Sequence, residues 1–371
     1  MKPLRIRIVG GSLAGLFAGV LLQRDGHDVR IYERSTGGLS GRGAGLVAQR
    51  EVFQILRLIG FERIARIGVV AKERIVLDRA GQVVQTVATP QTQISWDVLY
   101  DSVASRFTSD HYLPGRQAVD VVDSDAGAVI SFSDGSTDQA DLVIGADGIG
   151  SVVRRSVNPE SPDNHFAGYV AWRGLVPESQ LPEAASLLLD RFTFYLAPGA
   201  QVLGYLVPGP TGEMSKGDRR YNWVWYRRVR PDALAGLFTD RAGRTHAFSL
   251  PRGGLSDEGL HDLRRDAFES LPRQLALAVS VEDTPSIQGI FDYQAPQVVG
   301  RSVALIGDAA FVVRPHTAMG VSKAAGDVMA LQRHLATRAD LRSALAGFEL
   351  ERRAVGEQIA AYGRRLGATA L

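Results

Sequence analysis

Four segments of the chain carry residue types and spacings from which chemistry can be read. Gly10-Gly11-Ser12-Leu13-Ala14-Gly15 stands between an apolar run at 4–9 and a stretch of helical spacing, and Glu33 lies 23 residues beyond Gly10. A glycine turn in that position lets the backbone approach a pyrophosphate, the helix N-terminus meets the negative charge, and an acidic residue at that distance suits ribose hydroxyls. Ser12 takes the place of the usual second glycine and adds a hydroxyl. Gly41-Arg42-Gly43-Ala44-Gly45 surrounds one cation with glycines. Such a loop turns tightly and can set a guanidinium on a phosphate, although its composition alone also reads as a flexible loop. In the third segment an apolar stretch, Leu142 to Gly145, runs into Asp147-Gly148, and Ser151 is placed to cap a helix bearing Arg154 and Arg155. In the fourth, Val303 to Ile306 delivers Gly307-Asp308 to the end of a strand, and Arg314-Pro315-His316-Thr317-Ala318-Met319-Gly320 forms a loop before a small-residue helix from Ser322.

These segments need a frame that brings them together. Residues 4–9, the helix Leu13 to Arg24 and the strand Asp28 to Tyr32 read as a βαβ unit. Helical spacing recurs over 51–66, a hairpin over 73–87 turns at Asp78-Arg79-Ala80-Gly81, and Ser95 caps a helix extending to about Thr108. Between Ala167 and Val229 the pattern changes to long aromatic strands holding all of the tryptophans except Trp96. A sheet with one buried aromatic face follows. Helices are expected over 257–280, 322–336 and 339–366, with a strand at 302–306 between them. The fold class is therefore mixed α/β. A Rossmann-like nucleotide domain is assembled from 1–71, 96–165 and 286–371, and a β-sheet substrate domain from 72–95 and 166–285.

Composition removes several classes of function. The 371 residues are 45% hydrophobic and 22% charged, with 42 basic against 40 acidic residues, which is a globular balance with no nucleic-acid footprint. The absence of cysteine removes disulfides, thiolate metal sites and thiol nucleophiles together, and no metal site is expected. A reducing cytoplasm is the simplest home. Lys2, Arg5 and Arg7 before an apolar run imitate a signal peptide, but they alternate with Leu4, Ile6 and Ile8 at strand period and no cleavage site follows Leu22; an unprocessed chain without a membrane segment is expected.

The glycine turn with Glu33, the Asp147-Gly148 segment with Ser151 and Arg154, and the Gly307-Asp308 segment occur in the order seen in class A flavoprotein aromatic hydroxylases. The chain resembles these para-hydroxybenzoate hydroxylase-like monooxygenases over essentially its whole length. Ser95-Trp96-Asp97, Ala171-Trp172-Arg173-Gly174 and Arg314-Pro315-His316 with Gly320 look most like the 2,6-dihydroxypyridine 3-hydroxylase branch. The resemblance implies non-covalent FAD, with NADH or NADPH as co-substrate and O2 as oxidant. It places Gly10, Ser12 and Gly15 at the pyrophosphate, Glu33 at the adenosine ribose and Arg42 at the ribityl or phosphate region, with Arg34 a further cofactor-binding residue. Asp147 then serves FAD and NAD(P)H, Gly307 and Asp308 serve the ribityl-phosphate region, and Pro315, Met319 and Gly320 form the flavin loop. Two departures stand out: Phe311 where histidine is frequent, and Thr317-Ala318-Met319-Gly320 in place of Gly-Gln-Gly.

The implied substrate is a small hydroxylated aromatic or N-heteroaromatic ring. His316, inside a cofactor motif, is the first candidate to polarise a ring hydroxyl, against the alternative of a histidine that supports its loop. Tyr205 is the second catalytic candidate. Tyr195, Leu203, Tyr205, Trp223 and His316 are the substrate-binding candidates, although most aromatics of such a sheet are core. Arg173 and Arg191 read as solvated strand ends that can meet a carboxylate. Trp223-Val224-Trp225 is followed by Tyr226-Arg227 and reads as sheet alternation rather than the Trp-x-Trp of flavin halogenases. A homodimer is compatible with the sequence. The rival functions are an NAD-dependent dehydrogenase without flavin and a non-catalytic FAD-binding redox sensor.

Overall fold

The computed structural model describes residues 2–39, 41, 43, 45–64 and 68–370, its side chains as far as 368. Its nucleotide half is built on a five-stranded parallel sheet in the spatial order Val303–Leu305, Leu142–Gly145, Arg5–Val9, Asp28–Glu33, Tyr112–Pro114. Ile6, Ile8, Val29, Ile31, Val143 and Ala304 are wholly buried, as parallel strands covered on both faces require. The strand order reverses beside Arg5–Val9, so a crevice opens beyond the carboxyl ends of this strand and of Leu142–Gly145. The helix Leu13–Arg24 starts at that crevice and packs against the long helix Gly320–Thr337.

The second half is a nine-stranded sheet. Its central run is Ser286–Gln294, His165–Pro177, Arg220–Arg228, Ala200–Val207, Arg191–Ala197 and Glu73–Leu77. These pairings are antiparallel except the last, where Arg191–Ala197 and Glu73–Leu77 run parallel. A small sheet of Gly45–Val47, Gln91–Ser95 and Gly68–Ala71 lies near the strand Ala200–Val207. Among the described residues no helix is long and apolar enough to cross a membrane.

Three boundaries differ from the sequence reading. The helix expected over 51–66 is Arg50–Leu58, because Gly60 adopts φ +79° and turns the chain; residues 65–67 lie outside the described residues. The helix capped by Ser95 ends at Ala104 rather than near Thr108, while the cap itself forms, Ser95 Oγ accepting from Val98 N at 3.4 Å. The strand Ser286–Gln294, assigned from sequence to the nucleotide segment, runs inside the large sheet against His165–Pro177, so the chain leaves that sheet about nine residues later than expected.

Candidate active site

The crevice is a space of about 270 Å³ lined at the ends of three parallel strands by Gly10, Ser12, Glu33, Arg34 and Asp147, with Trp96 and Arg116 closing it. Backbone shape makes it possible. Gly10 sits at φ +107°, and a Cβ there would lie 2.3 Å from the Ala146 carbonyl oxygen; one on Gly15 would lie 1.9 Å from the Gly10 oxygen. Only glycine allows the turn and the helix to press together this closely. Ser12 is the N-cap residue of Leu13–Arg24, yet its hydroxyl makes no capping bond and the first turn holds no acidic residue, which leaves the positive helix end available to an anion. Glu33 is buried and rigid: Oε2 accepts from Gly11 N at 2.9 Å and Oε1 from Ser35 N at 2.8 Å. These bonds aim the carboxylate into the crevice while leaving each oxygen a further lone pair. Asp147 accepts from Ser151 Oγ (2.6 Å), Val152 N (2.7 Å) and Val153 N (3.2 Å), so it both lines the crevice and fixes the start of the short helix Val153–Val157. Arg42 lies outside the described residues.

Asp308 and the loop 315–320 form a second group, joined to the first by a residue that the sequence reading noted without assigning it a site role. Arg154 is 1% exposed and donates from Nε to Ala309 O (2.9 Å) and from Nη2 to Asp308 O (2.7 Å), its guanidinium 3.7 Å from the Tyr293 ring centroid. Asp308 itself is half exposed, with the buried ammonium of Lys323 3.6 Å from Oδ1. Gly307, at φ +60°, donates its N–H to Asp327 Oδ2 (2.9 Å), and Asp327 Oδ1 accepts from Arg352 Nε (2.8 Å) in the last helix, Leu341–Ala370. Beyond it Pro315 opens a single 3₁₀ turn, Thr317 Oγ1 accepts from Met319 N, and Gly320 begins the long helix. Ala318 holds a left-handed conformation, φ +54°, in the segment that replaces Gly-Gln-Gly, and Gln49 Nε2 donates to its carbonyl at 3.2 Å.

His316 meets the large sheet. Its Nε2 shares a hydrogen bond with Tyr169 Oη (2.9 Å), its ring lies 4.3 Å from that of Tyr226, and Nδ1 is buried with no partner. Desolvation, helped by the nearby Arg314 cation, pulls its pKa down to about 4, so the imidazole is neutral at physiological pH. Arg314 is held by Asp292, with Nη2 to Oδ2 at 2.7 Å. Burial pushes the Tyr169 hydroxyl up to about 12, which keeps its proton in place. Neither Tyr169 nor Tyr226 was a sequence candidate. Tyr205 shares this face, stacked on Phe192 at 4.7 Å, but its hydroxyl donates to Gly45 O (3.2 Å) and burial raises its pKa to about 12. It braces the glycine segment with a proton it does not release. Leu203 packs on the same face beside Tyr205 and Val224.

Two substrate candidates are corrected. Tyr195 and Trp223 point to the opposite face of the sheet, into a core with Trp225, Leu263, Leu275 and Ile287 under the helices Asp257–Ser270 and Arg273–Ser280. Strand parity is the cause: Tyr221, Trp223 and Trp225 alternate with Asn222, Val224 and Tyr226, and only the second set looks toward the nucleotide half. Gly174 accommodates the Trp223 indole, since a Cβ there would lie 2.2 Å from it.

The comparisons with known proteins agree with this architecture. A family model described as FAD binding domain-like matches residues 166–292. The chain is 33% identical over 349 residues to 2,6-dihydroxypyridine 3-monooxygenase of Paenarthrobacter nicotinovorans, covering 93% of this chain and 86% of that one. It is 30% identical over 344 residues to 3-amino-4-hydroxybenzoate 2-monooxygenase of Streptomyces cremeus, covering 89% and 78%. The solved structure of 2,6-dihydroxypyridine-3-hydroxylase from Arthrobacter nicotinovorans superposes with a TM-score of 0.92 at 30% identity over 100% of this chain and 93% of the other. The chain belongs to the class A FAD-dependent aromatic monooxygenases, with the para-hydroxybenzoate hydroxylase-like fold. Within that family its likeness runs to the 2,6-dihydroxypyridine 3-monooxygenase branch.

Proposed function

We propose that this enzyme uses NADH or NADPH and O2 to hydroxylate a small hydroxylated ring of the hydroxypyridine type, with FAD held non-covalently across the crevice and the loop 315–320. The observation that carries the reading is His316: a neutral imidazole with an unpartnered, buried Nδ1, set between the flavin-loop motif and the aromatic face of the large sheet. The crevice residues fit the cofactor. The glycine turn admits a pyrophosphate, the free Ser12 hydroxyl and helix end meet its charge, Glu33 is aimed at ribose hydroxyls, and Asp308 is exposed enough to accept from the ribityl chain. Bound there, FAD supplies hydride acceptance and oxygen activation. The protein's own part is to exclude water, to hold a flat ring against Tyr226 and Leu203, and to hydrogen-bond a ring hydroxyl through His316 Nδ1. With the imidazole proton on Nε2, facing Tyr169 Oη, Nδ1 is an acceptor, and the hydrogen bond it takes from the ring hydroxyl raises electron density on the ring carbon.

A dehydrogenase without flavin and a non-catalytic flavoprotein fit less well, because both relatives are named monooxygenases. The test is NAD(P)H consumption by FAD-loaded protein against hydroxypyridines, hydroxynicotinates and phenols, with product mass measured. A ring-stimulated rate with one oxygen atom gained is expected. Oxidation that no ring stimulates would overturn the reading.

A further inference from the structure

The large sheet pairs several of its arginines with carboxylates. Arg191 meets Glu73, Arg219 meets Glu178, Arg220 meets Asp97 and Arg227 meets Asp266, each at 2.6–3.2 Å. Arg173 does not. It lies within the strand His165–Pro177, on the face of Tyr169 and Ala171, since Val170, Trp172 and Val176 alternate into the opposite core. It is half-buried, its Nε is shielded from water and donates to nothing, and among the described residues no carboxylate reaches it. Its charge acts on the hydroxyls of Tyr226 on the adjoining strand and of Tyr205 on the strand beyond it, although burial dominates both. Tyr226 in turn packs against His316. The face toward the nucleotide half thus presents a neutral imidazole packed on the Tyr226 ring and an uncompensated guanidinium whose charge reaches the hydroxyl of the same residue.

A guanidinium that has lost part of its hydration without gaining an anion is an unfavourable arrangement for a stable core, and the geometry is restored when an oxyanion arrives. Arginine presents donors in a fixed plane suited to such an oxygen. We propose that Arg173 is a substrate-recognition residue that binds an anionic oxygen on the aromatic ring while His316 engages the ring's hydroxyl. The proposal rests on the hydroxylase reading above and narrows its substrate class to rings that carry negative charge in the site, either as an ionised hydroxyl or as a carboxylate.

The test measures ring binding to FAD-loaded wild type, R173Q and R173K by perturbation of flavin absorbance. The probes are 2,6-dihydroxypyridine, 6-hydroxynicotinate and the uncharged 2,6-dimethoxypyridine, and FAD affinity and thermal midpoint are recorded alongside. R173Q is expected to raise the Kd of at least one anionic ring about 10–100-fold, the span of a lost charge-assisted hydrogen bond. Binding of the dimethoxy ring and of FAD stays within about twofold, R173K recovers most of the loss, and kcat/KM falls with Kd more than kcat does. Loss with 2,6-dihydroxypyridine alone identifies the ionised hydroxyl, and loss with 6-hydroxynicotinate alone the carboxylate. Wild-type Kd values in R173Q, equal weakening of the neutral ring, or a wild type that binds no anionic ring would each overturn the proposal. Hydroxylation of 2,6-dihydroxypyridine with unchanged binding in R173Q sinks the role of Arg173 and leaves the hydroxylase reading intact. Arg173-dependent binding without hydroxylation of any ring does the reverse.

Discussion

The two faces of the nine-stranded sheet are both rich in aromatic rings, and they do different work. On the helix-covered face Trp223, Trp225 and Tyr221 are fully buried among Leu263, Leu275 and Ile287, and glycines on adjacent strands, Gly174 and Gly204, clear space for Trp223 and Tyr221. On the other face Tyr169, Tyr226 and Tyr205 surround a neutral histidine and an uncompensated arginine. The lesson is that ring type does not distinguish a scaffold from a binding wall. Strand parity decides which face a ring joins, and the polar groups left unpaired beside it decide what that face can do.

That contrast breaks most sharply at His316. His316→Ala should cut coupled hydroxylation by about 10²–10⁴-fold while FAD stays bound, read from product formed per NAD(P)H consumed. Wild-type rate and coupling in that variant would make His316 a loop support. Trp223→Ala, on the packed face, should instead destabilise the fold by about 3–5 kcal/mol in denaturant titrations and leave the Kd of any ring that binds the surviving native protein unchanged. A shift in ring affinity there would mean that the two faces are not separate. At the crevice, Glu33→Ala should weaken FAD by about 1.5–3 kcal/mol, through lost contact and a loosened glycine turn, with little change in the reactivity of the flavin that remains bound.

The histidine also predicts a pH dependence with a defined sign. Its pKa falls from an ordinary value of 6.5 to about 4 on folding, so between those limits the unfolded chain binds more protons. Its contribution to stability is complete above about pH 6.5 and is lost progressively as pH falls toward 4. In His316→Asn that part of the acid slope should vanish, measured by unfolding midpoints across the range. The smallest effect is expected at Ala318. Ala318→Gly relieves a left-handed conformation at φ +54°, against a more flexible unfolded chain, for a net gain below about 1 kcal/mol and a small rise in thermal midpoint.

The crevice was legible in the sequence because its shape is set by backbone. A turn that a Cβ would block at 2.3 Å can be made only by glycine, so Gly10 and Gly15 write the geometry into residue identity, and helix caps such as Ser95 and Ser151 do the same. The proposed substrate wall was not legible in this way. Tyr195 and Trp223 have the composition of a binding wall, but their facing depends on the pairing of strands that no local signal fixes. Tyr169 and Tyr226 had that same parity information available once Tyr205 was placed, yet the cross-strand register was not. Arg173 reads as a solvated strand end because its strand was expected to be short; a strand of thirteen residues places it inside. Arg154 escaped a site role because a buried guanidinium bonding two carbonyls 154 and 155 positions away leaves no trace in spacing.

The Asp327 carboxylate, shared between Gly307 N and Arg352, makes the turn at Gly307 depend on the docking of the helix Leu341–Ala370. Arg352 lies well inside the final helix, and without it Asp327 is a buried negative charge lacking its counterion, poorly suited to fix the Gly307 turn. The turn at Gly10 is pressed against the Ala146 carbonyl at the end of a neighbouring parallel strand, whereas the turn at Gly307 depends on a side chain from a separate helix, Leu341–Ala370. The two turns therefore answer to different parts of the fold, and loosening the last helix slackens the one at Gly307 without touching the one at Gly10.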